Sequence, residues 1–337
     1  MKLVNRILKA REISSLAFLV AMFLIVGAVN PTFLQVKNLF LTFNGSVVYI
    51  LLAVGIAFVI LCGEIDVSIG ATLGLSAAVS ATLLRDGSSW LAAIIAAIAV
   101  GVTIGLINGI GVTVFKVPSI IMTLGVNGVV RGSIYVYTNG KWVENVPFEF
   151  KALSQATFMN ALTYFLLGTI ILTVVVHFIL TKTKKGRYFA AVGDNMSGAT
   201  LIGIPVEGTK IVAYIACGIF AALAGLMYVS RVGFVTPTAG NGYEMKAIAA
   251  CVLGGISLAG GVGTVIGAAI GSVIMSSISR VLVFLQFSSD YDNTITGILL
   301  ILIVVADSLI QRRLAEKARR KRLSARTLEE VGGGSNE

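Results

Sequence analysis

The feature that most limits how this chain can fold is a recurrence of apolar runs close to twenty residues long, parted by short polar stretches. A helix of about 20 residues crosses the ~30 Å hydrocarbon layer of a bilayer. Only a segment that satisfies its own backbone groups can do so. The runs cover 14–29, 46–62, 67–84, 90–114, 119–137, 159–180 and 209–229, then Glu244 to the glycine cluster at 254–263, 264–287 and 293–309. Ten runs predict an all-α polytopic membrane protein with about ten transmembrane helices.

Composition agrees. Hydrophobic residues make up 56% and charged residues 12%, with a mean hydropathy of +0.93, values of a chain whose solvent is mostly lipid. The net charge of +10 does not point to nucleic acid, because the cations sit between the apolar runs. Lys2, Arg6, Lys9 and Arg11 precede the first run, Lys182, Lys184, Lys185 and Arg187 follow the sixth, and a further basic series runs from Arg312 to Arg326. The opposite set of loops carries only Lys37, Arg85, Lys141, Lys151 and Arg231. By the positive-inside rule the amino terminus, the middle segment and the carboxyl-terminal tail are expected in the cytoplasm. The run at 13–29 follows basic residues but lacks an A-x-A cleavage site, so it reads as an uncleaved first helix.

The longest polar break on that side is TKTKKGRYFAAVGDNMSGATLIGIP at 181–205. It is too long for a turn and carries a helix start signal, since Asp194 or Asn195 can cap a short helix through Ala199 and Leu201. The break divides the chain into two five-run halves of opposite topology, the pattern of an inverted repeat with a pathway between the halves. Only a weak Gly/Ala echo, 68–80 against 263–272, accompanies it at the level of residues.

The chemistry-bearing residues are sparse. Cys62, Cys217 and Cys251 lack metal or redox spacing, and His177, the one histidine, lies inside an apolar run, so buried thiols and a packed imidazole are expected. There is no G-x-x-x-x-G-K-[ST] loop to cradle a nucleotide, and no run centres on paired carboxylates of the kind a proton relay needs. Asp307 lies near the end of the last run. Arg131 and Arg280 lie within runs, where an arginine either snorkels to an interface or faces protein or water. Asp66 can cap the third run, with Glu64 and Asp66 in water at the cytoplasmic face. Trp142 is placed in the longest outer loop, as an interfacial anchor or a docking residue.

Four stretches with consistent order resemble a known family. They are GEIDVSIGATLGLSAA at 63–78, VPSIIMTLGVNGVVRG at 117–132, AVGDNMSGATLIGIPV at 191–206 and MKAIAACVLGGISLAGGVGTVIGAAIG at 245–271. Together they are similar to the permeases of bacterial ABC carbohydrate importers of the ribose, xylose and galactose type, across the chain to about Arg313. YTNGKWVENVP at 137–147 with GFVTPTAGNGYEMKAIAACVLGGISL at 233–258 most resembles the autoinducer-2 branch, with rhamnose-type permeases close by.

The resemblance implies a permease domain at 1–313, with a cytoplasmic coupling segment at 181–207 and a basic tail at 314–337. It implies a bacterial inner-membrane location, with a second permease chain and a separate ATP-binding subunit that holds ATP and magnesium. A periplasmic or lipid-anchored binding protein delivers a sugar or sugar-like solute. Gly193, Asp194, Asn195, Ala199, Gly203 and Pro205 are the implied ATPase-coupling residues. Asn108, Thr123, Asn127, Glu244 and Lys246 are candidates for the solute path, because a sugar asks for scattered amides and hydroxyls; interhelical hydrogen bonding is the competing role for each. The chain itself is then no enzyme and holds no metal or cofactor. The rival reading is a stand-alone secondary transporter or facilitator.

Overall fold

The computed structural model describes residues 11–288, 290–302 and 304–305. The tail at 314–337, Asp307 and the basic residues before position 11 lie outside them. The described residues form fourteen α-helices, a 3-10 helix (Pro31–Leu34) and one two-stranded ribbon: α1 (Arg11–Val29), α2 (Val36–Gly45), α3 (Val47–Leu61), α4 (Ile69–Arg85), α5 (Trp90–Thr113), α6 (Ser119–Thr138), α7 (Phe148–Gln155), β1 (Thr157–Phe158), β2 (Leu162–Thr163), α8 (Tyr164–Lys182), α9 (Gly186–Asp194), α10 (Met196–Leu201), α11 (Val206–Val232), α12 (Tyr243–Leu253), α13 (Val265–Phe284) and α14 (Tyr291–Leu302).

Every one of the ten expected runs contains helix, but not every helix is a full span. Six of them, α1, α5, α6, α8, α11 and α13, are long and apolar enough to cross a bilayer, or seven if α2 and α3, bent by 41° at Ser46, count as one. Among the described residues, the other expected runs hold shorter helices. α4 has 17 residues and α12 only 11. Both start inside the body, after the non-helical residues 62–68 and 233–242, most of which the apolar runs already leave out. Hydropathy measures composition over a window and does not see where the backbone leaves the helix.

α3 occupies the centre. Its sequence VVYILLAVGIAFVIL is apolar on every side, so no face prefers lipid, and every residue but Tyr49 is buried. It packs on α11, α12 and α13, while α11 packs reciprocally on α3, α4 and α5; α4 lies on α5 as α12 lies on α13. Apolar contact alone does not distinguish a helix partner from lipid, so close approach must do so. At the α5–α11 crossing a methyl on Gly101 would sit on the Gly218 carbonyl, and one on Gly218 on the Gly101 carbonyl. Neither position tolerates a side chain.

The two ends of the bundle differ. At one end Arg231 donates to the Gly45 carbonyl at 2.6 Å, Val143 pairs with Val235, Trp142 stacks on Phe234 with centroids 5.3 Å apart, and α7 and the β1–β2 ribbon lie against the bundle. At the other end α9 and α10 gather with the Cys62–Glu64 turn and the 254–263 loop.

Candidate functional site

Two places in the bundle combine irregular backbone with buried polar chemistry, and both belong to segments singled out in the sequence. The first is α9–α10. Asn195 adopts an extended conformation and its side chain accepts from the Gly198 amide at 2.8 Å, which starts α10; of the two expected caps, Asn195 is the one used. Ala199 is buried against the bundle. Gly203 ends the helix at φ +79 with open space around it, and Pro205 precedes α11. The outer face of α10 and the residue after it is apolar and bare, with Leu201 88% and Ile202 76% exposed.

Gly193 anchors the element. A methyl there would sit on the Leu61 carbonyl and 2.6 Å from the Gly261 amide, while one on Gly260 would lie 2.8 Å from Gly63 and 3.0 Å from Gly193. Three backbones meet at van der Waals contact, with Gly63, Gly260 and Gly261 in the left-handed region that glycine adopts freely. The Gly261 amide donates to the Leu61 carbonyl at 3.0 Å. In the sequence the glycines at 254–263 read as the end of a run, unconnected to Gly63 and Gly193; the adjacent pair Gly260-Gly261 is the signal that could have joined them.

The second place lies where α4 and α12 begin. Asp66, expected in water, is instead buried at 3% exposure. One oxygen accepts both the Ser68 amide at 2.8 Å and the Ser68 hydroxyl at 2.6 Å, so the carboxylate caps α4 and faces its positive end. Asn108 donates to the Ser68 hydroxyl at 2.8 Å, and the Val67 amide donates to Thr123 at 3.1 Å. Asn108 lies five residues before the end of α5, about 7.5 Å at 1.5 Å per residue. The helix therefore starts well inside the body. Glu64 stands nearer the end, paired with Lys210 at 2.5 Å.

The 233–242 loop turns back into the bundle until Gly240 touches Gly70. Arg131 does not snorkel outward. It turns inward and donates to the Ala239 and Gly240 carbonyls at 2.7 and 2.8 Å, and lies 3.5 Å from Glu244. Glu244 also accepts from the Gly242 amide at 3.3 Å, and a methyl on Gly70 would run into its carboxylate. Lys246, one turn in, ion-pairs with Asp292, which also accepts from Ser279 at 2.7 Å. Its ammonium lies 5.6 Å from the Tyr49 ring centroid, and Tyr49 stacks on Tyr243.

The structure thus brings Asn108, Thr123 and Glu244 together around residues 65–70. Lys246 lies on the adjoining turn with Asp292, a partner that the sequence reading did not pick out. The Asn127 side-chain oxygen has no hydrogen-bond partner among the described residues. Cys62, Cys217 and Cys251 are free and buried, as their spacing implied. Among the described residues no group of His, Cys, Asp and Glu has the arrangement of a metal site.

Comparison with known proteins agrees with this architecture. Residues 38–304 match the family model described as branched-chain amino acid transport system / permease component. The autoinducer 2 import system permease protein LsrC of Salmonella typhi is 39% identical over 93% of this chain and 90% of its own length. The protein of the same name from Escherichia coli (strain K12 / DH10B) is also 39% identical, over 93% of this chain and 91% of its own. No solved structure matches. A bundle of membrane-length helices, with two helices starting inside it and a capped end helix, is therefore the form that one established family of transport proteins takes here: the chain belongs to the family of branched-chain amino acid transport system permease components.

Proposed function

We propose that the chain is a membrane-spanning permease subunit of an ATP-driven importer, translocating a sugar or sugar-like small molecule of the autoinducer-2 kind. The end that carries α10 is cytoplasmic in this reading, as are both termini. A separate subunit binds ATP and magnesium, and an extracytoplasmic binding protein hands over the solute.

The observation that carries the proposal is the bare apolar face of α10. Leu201 and Ile202 are the most exposed aliphatic side chains of that segment, on a helix held rigidly at both ends. An exposed apolar patch at a polar end marks a contact surface. Beside it lies a cavity of about 530 Å³ bordered by Lys116, Met196, Ile204, Glu207 and Lys210, a recess that suits a docked partner. A second permease, identical or sister, fits the bare face of α6. There Ile121, Val129 and Val136 are exposed, and Gly125, Gly128 and Gly132 have open space where a partner helix can approach. The reciprocal packing of α3–α5 and α11–α13 supports two halves built as an inverted repeat.

The stand-alone transporter gains no specific support. A coupling ion needs a carboxylate free to exchange partners; Glu244 and Asp292 are matched by cations, and the buried Asp66 is committed to both Ser68 donors.

The test is uptake by proteoliposomes containing the permeases, with and without the ATPase and binding protein. ATP-dependent accumulation is expected only with both; uptake at the same rate without the ATPase overturns the proposal. In the complete system Gly203→Val, which forces a β-branched residue to a φ of +79, is expected to keep ATP hydrolysis while lowering transport at least tenfold. Unchanged transport in that variant would place the docking surface elsewhere.

A further inference from the structure

At the end of the bundle opposite α10 a cavity of about 330 Å³ opens between α2, α3, α11, α12 and α13, and its floor and rim carry Arg231, Arg280, Tyr49, Tyr228, Tyr243 and Ser276. Tyr49 and Tyr243 stack on each other on the side of Lys246, and Arg231 is the arginine that holds the Gly45 carbonyl.

The charge balance in this cavity is uneven. Arg280 is half-buried, four residues before the end of α13, and Arg231 leans over the α2–α3 break. Neither has a carboxylate within ion-pair distance among the described residues. The nearest interior anion, Asp292, is already matched by Lys246 and Ser279. Arg231 spends one donor on the Gly45 carbonyl; the rest of its fork and the whole Arg280 fork remain uncommitted among the described residues.

Both guanidiniums line the same recess, Arg231 exposed and Arg280 half-buried. An uncompensated cation in a recess is costly, whereas a planar fork is well matched to a tetrahedral or planar oxyanion. Simple snorkelling would leave Arg280 reaching for bulk water; here it lines a recess together with a second arginine and three tyrosines.

We propose that this cavity is an oxyanion site, and that the group it takes is a phosphate held by Arg231 and Arg280. The phosphate can be the headgroup of a membrane lipid or a small soluble phosphate. Because Arg231 also grips the carbonyl at the bend between α2 and α3, an occupied site fixes that bend. The inference does not rest on the ATPase reading.

The experiment uses the importer complex as purified, released from nanodiscs of phosphatidylglycerol mixed with a glycolipid that lacks phosphate, and read by native mass spectrometry. In parallel, inorganic phosphate is titrated calorimetrically. Expected is saturable binding of one phosphate group per chain. It should be weakened at least tenfold in Arg280→Gln and kept within threefold in Arg280→Lys, with Arg231→Gln as an independent second variant. Retention of phosphatidylglycerol with no response to inorganic phosphate assigns the lipid as source; the reverse pattern assigns a soluble phosphate. Absence of saturable binding by the wild-type complex in both arms overturns the proposal whatever the variants do. So does equal binding by the wild type and Arg280→Gln.

Discussion

The chain begins a helix inside the bundle twice, and the two interruptions solve the same problem with different chemistry. Before α4, the deep part of segment 62–68 is held by neutral partners, Ser68, Asn108 and Thr123 around the buried carboxylate of Asp66, and only Glu64, nearer the end, is ion-paired, with Lys210. Before α12, the loop 233–242 is held by charge, with Arg131 on the Ala239 and Gly240 carbonyls and Glu244 beside it, then Lys246 on Asp292. Length accounts for much of the contrast. The first segment is short and its amides find acceptors nearby. The second folds back deeply enough to strand two carbonyls, and in a medium without water these need donors from elsewhere. The first interruption is thus fixed by hydrogen bonds that have one good arrangement. The second is fixed by two cations and two anions, paired as Arg131 with Glu244 and Lys246 with Asp292.

That contrast can be broken by mutation. The largest effect is expected where the interruptions touch. Gly70→Val drives a side chain into the Glu244 carboxylate and to within 2.6 Å of the Gly240 carbonyl, overpacking that costs ~3 kcal/mol or more. Thermal unfolding and the yield of monodisperse protein read it, and a variant of wild-type stability would mean the two segments are not packed together. Next comes Glu244→Gln, which leaves Arg131 buried with carbonyls only. Removing one partner of such a pair costs roughly 2 kcal/mol once its residual exposure is discounted. Adding Arg131→Gln should recover part of that loss in a double-mutant cycle, and strict additivity would deny the coupling.

Asp66→Asn should be milder, about 1 kcal/mol or less, because an amide oxygen still accepts from both Ser68 donors. If Asp66→Asn proves more damaging than Glu244→Gln, the assignment of neutral and charged interruptions is inverted. The smallest effect belongs to Lys116→Ala. Its partner Glu207 is exposed at the surface of α11, and exposed pairs contribute little; a measurable stability loss would show that the cavity beside α10 is more enclosed than its geometry indicates.

What could be read from the sequence divides along physical lines. Apolar length located all ten segments, and the Asn195 start signal located α10 because capping is a local affair of three residues. Asn108, Thr123 and Glu244 stand out as polar residues in apolar runs, and they do converge around residues 65–70. Depth was not legible. Hydropathy marked 233–242 as a polar break but did not show that this loop returns into the bundle before an α12 of only 11 residues. Partnership across the chain was also out of reach: nothing near Lys246 names Asp292, and Asp66 looked like a solvated cap because its burial depends on α5 and α6. The Arg131 side chain could point either way until the 233–242 loop supplied carbonyls for it.

The meeting of Gly63, Gly193 and Gly260 has a mechanical corollary. Three backbones in direct contact, with no side chains between them to compress or change rotamer, form a joint with almost no slack. A displacement applied to α10 enters α9 and reaches this joint as a rigid stroke. On one side of the joint lies the non-helical segment leading to α4; on the other lies the turn joining α12 to α13. The joint therefore ties the start of α4 to the far end of α12 through backbone alone, the way a dowel pins two rails.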